Sequence, residues 1–97
     1  MSFLDNINKA FESRVRLGIM SILMVKAKVV YSRLKELLEV TDGNLASHLK
    51  ALEKLEYILV TKEFVNRKPQ TTYAVTKGGK QAFAKHIDAL EKLLKHD

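Results

Sequence analysis

The chain has 97 residues, 17 of them Lys or Arg against 11 Asp or Glu, for a formal net charge of +6. Hydrophobic residues make up 46 %, with one proline and no cysteine. This composition excludes disordered and low-complexity chains, and without cysteine neither a disulfide framework nor a thiolate metal site can form. The longest apolar run, residues 17–25, is interrupted by Gly18 and Ser21 and falls short of the roughly 20 residues that a membrane span requires. Residues 1–8 contain Asp5 and no basic residue ahead of an apolar core, unlike a secretory signal. The expectation is one small cytoplasmic domain spanning 1–97, with a single core.

In chain order, residues 1–25 read as N-terminal and core helices in two pieces. Phe3, Leu4, Ile7 and Phe11 follow helical spacing. Ser13 can cap a second piece from Arg14, its hydroxyl accepting from a backbone N–H of the first turn. Val29, Val30 and Tyr31 form a short β-favouring run. Residues 32–56 read as two short helices about a turn. Ser32 is the expected cap of the first, which carries Leu34, Leu37 and Leu38. Thr41 is the expected cap of the second, with Asp42 in its first turn, where a negative charge suits the helix dipole. That second helix places Leu45, Leu49, Leu52 and Leu55 on one face and small, polar or basic residues on the other.

From Tyr57 the period becomes two: Ile58, Val60 and Lys62 alternate with Leu59, Thr61 and Glu63. Turn chemistry at residues 66–69 breaks the run, and residues 71–76 resume it, so residues 57–76 read as a hairpin with a basic tip. Thr76 is the expected cap of a last helix over residues 77–95, in which Phe83, Ile87, Leu90 and Leu94 form a heptad-like stripe. Residues 57–80 hold five basic groups and one acidic group, most of the net charge. The fold class expected is mainly α with a small β-hairpin: a winged helix-turn-helix with a three-helix core, a wing and a C-terminal dimerisation helix.

Residues 33–58 resemble the helix-turn-helix of small, single-domain prokaryotic transcriptional regulators of the MarR/ArsR type. Thr-Asp-Gly-Asn-Leu-Ala-Ser-His-Leu at 41–49 is similar to the start of their recognition helix. Residues 13–19 are similar to their core helix, 67–76 to their wing, and 76–79 to the entry of their dimer helix. The resemblance covers about residues 3–95. It implies a homodimer that binds a pseudo-palindromic double-stranded operator and usually represses.

By position, Asp42, Gly43, Asn44, Ser47, His48 and Ala51 would face the major groove. Asn suits adenine, Asp can accept from cytosine N4, and Ser, which both donates and accepts, is adaptable. Lys50 and Lys54 are placed for phosphates, as are Ser32 and Arg33 at a helix N-terminus. Arg67 and Lys68 would occupy the wing tip, where a guanidinium suits a narrow minor groove. Phe3, Leu4, Ile7 and Phe11 are the expected dimer interface, with Phe83, Ile87, Leu90 and Leu94.

Metal sensors of the ArsR type carry cysteine, and this chain has none. His48, His86 and His96 lack metal-ligand spacing. No nucleophile motif or phosphate-cradling glycine loop is present, so neither an enzyme nor a cofactor is expected, and no small-molecule effector is implied. The alternative is a winged-helix protein-interaction module of a larger assembly, against which the basic wing counts.

Overall fold

The structure, a computed structural model, describes residue 2 and residues 4–95; of the residues singled out above, Phe3 and His96 lie outside them. Helix α1, Arg14–Val25, starts where Ser13 Oγ accepts from the Arg16 N–H at 3.3 Å. It runs through the centre of the domain with Ile19, Met20 and Leu23 buried. The chain then passes through strand β1, Val29–Val30, helix α2, Tyr31–Leu38, and helix α3, Asp42–Lys54. Thr41 caps α3, its Oγ1 accepting from the Asn44 N–H at 3.2 Å. Strands β2, Ile58–Val65, and β3, Lys68–Val75, form the hairpin, and helix α4, Lys77–Leu94, closes the chain.

The sheet is antiparallel in the order β1-β3-β2, with Ile58 opposite Val75 and Val65 opposite Lys68. Strand β1 pairs only with Thr72 and Tyr73, so the outer half of β3 has a free edge. Pro69, which has no N–H to give, is accommodated on that stretch. The core joins Phe11, Ile19, Met20, Leu23, Leu34, Leu45, Leu49, Leu52, Ile58, Tyr73 and Phe83. Four helices and a small sheet make the expected α+β winged helix.

Helix α4 is fastened at its start. Thr76 Oγ1 donates to the Glu56 carbonyl at 2.7 Å and accepts from the Gly79 N–H at 2.9 Å, and the Thr76 N–H reaches the Tyr57 carbonyl at 3.0 Å. A β-carbon on Gly79 would stand 2.1 Å from the Tyr57 oxygen, so only glycine permits this approach.

Four local expectations are corrected. The segment before α1 is not a helix with a Leu4–Ile7–Phe11 face: it is a turn followed by a short 3-10 turn, Lys9–Phe11. Asn8 restarts the chain there, its Oδ1 accepting from the Ala10 N–H while its own N–H donates to His86 Nδ1. Helix α2 begins at Tyr31, not after Ser32, because Val30 passes from its pairing with Thr72 directly into the helix; no side chain caps it. Leu55 follows the last turn of α3 and is 47 % exposed, outside the core. Strand β3 starts at Lys68, because the hairpin turn needs only two residues.

Candidate nucleic-acid interface

Side chains leave a helix about every 100°. Taking Leu45, Leu49 and Leu52 as the inward direction of α3, Gly43, Ser47, Lys50 and Lys54 point opposite. Ala46 stands at one flank of that outward face and Asn44 and Ala51 at the other. Asn44, Ala46, Ser47, Lys50 and Lys54 are exposed. Beyond its own helix backbone and chain neighbours, nothing stands within 4 Å of a β-carbon built on Gly43, so this glycine leaves open surface and fills no packing need.

Asp42 and His48 fall between the inward and outward directions, and the structure gives both a protein partner. Asp42 Oδ2 meets Lys35 Nζ at 3.0 Å, and its Oδ1 accepts from the Tyr31 hydroxyl at 3.0 Å. The Lys35 hydrogen bond, then that of Tyr31, holds its carboxyl below its ordinary value. Asp42 thus ties α2 to α3. His48 turns toward α1, where its Nδ1 accepts from Arg16 Nε at 2.9 Å. Burial, and after it the Arg16 charge, lowers the imidazole's pKa.

The turn between α2 and α3 borders a cleft of ≈ 430 Å³ lined by Arg14, Val15, Leu38, Val40, Thr41 and Asn44. Arg14 is exposed there and enters no ion pair among the described residues. Helical spacing alone marks this stretch as core helix and gives no sign of Arg14's place beside the cleft. Ser32 and Arg33 are exposed in the first turn of α2, where Arg33 pairs with Glu36.

The hairpin extends beyond the core: Lys62 to Lys68 is exposed throughout. Asn66 and Arg67 form its two-residue turn, both with positive φ, 53° and 65°, as a type I′ turn requires. Asparagine suits that conformation; arginine carries a β-carbon into it. Phe64, opposite Pro69, is 78 % exposed beside the tip, a large apolar surface that strand alternation alone did not single out. Lys50, Lys54, Arg67 and Lys68 have no carboxylate partner among the described residues.

The expected dimer interface divides. Phe11 is fully buried, its ring 5.2 Å from Phe83 in an edge-on contact and 5.4 Å from Tyr57. Phe83 is buried in the same cluster. Both belong to this chain's own core and have no surface for a partner. Leu4, Ile87 and Leu94 are exposed, Leu94 by 88 %, and Ile7 and Leu90 are half-buried. His86 is buried between the two groups, accepting from the Asn8 N–H at 3.0 Å, and burial lowers its pKa against a smaller opposing effect of Glu12.

A tight turn into an outward-facing polar and basic helix, set on a helical core beside a cation-tipped hairpin, defines the winged helix-turn-helix class. Residues 15–94 match the winged helix DNA-binding domain family, and the chain belongs to it. It is 34 % identical over 88 residues to protein MJ0432 of Methanocaldococcus jannaschii, across 91 % of this chain and 96 % of that one. Among solved structures it is similar to a transcriptional regulator homologue from Pyrococcus horikoshii OT3, with a TM-score of 0.88 and 30 % identity over 97 % of this chain and 95 % of that one. The structure of MarR matches at a TM-score of 0.75 over 95 % of this chain and 69 % of that one; at 18 % identity this is a likeness of fold. The winged-helix expectation is thereby borne out, and the resemblance to MarR holds at the level of the fold. No helix among the described residues is long and apolar enough to cross a membrane.

Proposed function

We propose that this winged helix DNA-binding domain is a cytoplasmic transcriptional repressor that binds a pseudo-palindromic operator as a homodimer. The observation that carries the reading is the pairing of two cationic elements without carboxylate partners among the described residues: Lys50 and Lys54 on the outward face of α3, and Arg67 and Lys68 at the wing tip. Asn44, Ser47 and Ala51 read base edges in the major groove, with Gly43 allowing close approach. Lys50, Lys54, Ser32 and Arg33 hold phosphates, joined by Arg14. The wing sets Arg67 over the neighbouring minor groove or backbone.

The dimer reading rests on α4. Its 18 residues span about 27 Å, and beyond Phe83 and His86 it carries Ile87, Leu90 and Leu94 outward, with Leu4 exposed as well. Two copies joined there set two α3 helices about one DNA turn apart, roughly 34 Å. Repression follows from occupying promoter DNA.

Mobility shifts on the DNA upstream of the protein's own gene, at several salt concentrations, test this. The expected result is a preference for a two-half-site segment over random DNA, weakening steeply with salt. No preference at moderate salt refutes it. Recovery of a stoichiometric protein partner, with DNA binding absent, would instead favour an interaction module.

A further inference from the structure

The contact between Arg16 and His48 does more than join α1 to α3. An arginine guanidinium is always protonated, so its Nε–H only donates. At 2.9 Å from His48 Nδ1 it requires a lone pair there. In a neutral imidazole the proton then sits on Nε2. No described residue hydrogen-bonds to Nε2, and no buried side-chain nitrogen or oxygen among the described residues lacks a partner, so Nε2 meets solvent. Arg16 is itself steadied by a long contact, 3.5 Å, from Nη1 to the Ala10 carbonyl.

We propose that Arg16, a residue of the core helix, determines base preference on the recognition helix by holding His48 in the Nε2–H tautomer, which makes it an obligate hydrogen-bond donor. This rests on the operator-binding reading above. A histidine free to choose its tautomer can donate or accept and so discriminates poorly. A donor-only imidazole favours guanine, whose O6 and N7 both accept in the major groove, and rejects cytosine, whose N4 amino group is itself a donor. Arg16 touches no base in this scheme; it is a positioning residue acting through His48.

Nitrogen-15 spectroscopy of the imidazole rings in the free protein at neutral pH reads the first half directly, with His48 assigned by its loss in His48→Gln. The expected result is a single Nε2–H tautomer in the unaltered protein and averaging of the two nitrogens in Arg16→Met. Mixed tautomers in the unaltered protein, or a single Nε2–H form surviving in Arg16→Met, overturn the inference. Selection from randomised operators reads the second half. Guanine should exceed cytosine by roughly 5- to 100-fold at one position of each half-site, and Arg16→Met should lose that preference while keeping the others. Equal weakening at every position marks a phosphate contact or a purely structural role and overturns the proposal. Failure of the unaltered protein to bind any DNA overturns the operator reading and the base preference together. The tautomer, measured without DNA, is read independently.

Discussion

At the wing tip, local stability and the proposed function pull against each other through one residue. Arg67 sits at the second position of a two-residue turn with φ 65°. A β-carbon in the left-handed region costs roughly 1–2 kcal/mol, whereas glycine there is unstrained but loses about 0.5–1 kcal/mol more backbone entropy on folding. Arg67 is exposed and makes no ion pair among the described residues, so its replacement forfeits no packing. Arg67→Gly should therefore stabilise the domain by about 0.5–1 kcal/mol, raising Tm by about 2–8 °C. Arg67→Ala keeps the β-carbon and should melt close to the parent. Both lack the guanidinium, so both should lower the slope of log affinity against log salt by about one unit. Thermal melts and salt-dependent mobility shifts on the three proteins separate the effects. A Gly variant no more stable than the Ala variant refutes the strain argument, and an unchanged salt slope in both removes Arg67 from the interface.

Gly79→Ala drives a β-carbon into the Tyr57 carbonyl and should destabilise by about 1–3 kcal/mol or more; an unchanged Tm would show that α4 does not seat there. Asn44→Ala should cost about 1–3 kcal/mol of operator binding and relax preference at one position per half-site, with melting unaltered; uniform loss across operator variants would make Asn44 a phosphate contact. Leu90→Glu should shift sedimentation toward monomer, and a persistent dimer would refute the α4 seam. The depressed pKa of buried His86 means that the unfolded chain takes up its proton first as pH falls. Its contribution is thus complete above about pH 6.5 and declines below it, toward the lower folded value. Urea midpoints between pH 7.5 and 5 should fall, and less so in His86→Gln; a pH-independent midpoint would contradict this.

Features set by neighbours in sequence were legible. Ser13, Thr41 and Thr76 were identified as helix starts because a hydroxyl three residues before an N–H is a local arrangement, and all three make that bond. The β2 alternation and the apolar face of α3 followed in the same way. Chain reversals carried by residues that do not advertise them were less visible. Glu39 and Glu56 adopt positive φ where glycine would have marked the bend.

Partners distant in sequence were the harder case. A stripe spaced four, three and four shows that Phe83, Ile87, Leu90 and Leu94 share a side, but not that Phe11, far up the chain, claims the first of them. The spacing of α3 places His48 beside the groove-facing residues, but does not show that Arg16, 32 residues away, holds its Nδ1. Residue type and position place Asp42 at the start of α3, but do not show that Lys35 and Tyr31 of α2 reach its carboxylate.

The fastening of α4 has a mechanical consequence. Thr76 grips the Glu56 and Tyr57 carbonyls, with Gly79 packed close against the second, and those two residues are the joint at which α3 ends and β2 begins. The long helix is therefore fastened to the segment that joins α3 to the wing, so a change in its tilt would be passed to both. In a paired molecule the angle between two such levers sets the span between reading heads, so a ligand, a temperature change or a substitution that altered that angle could retune DNA spacing without touching a residue that meets DNA.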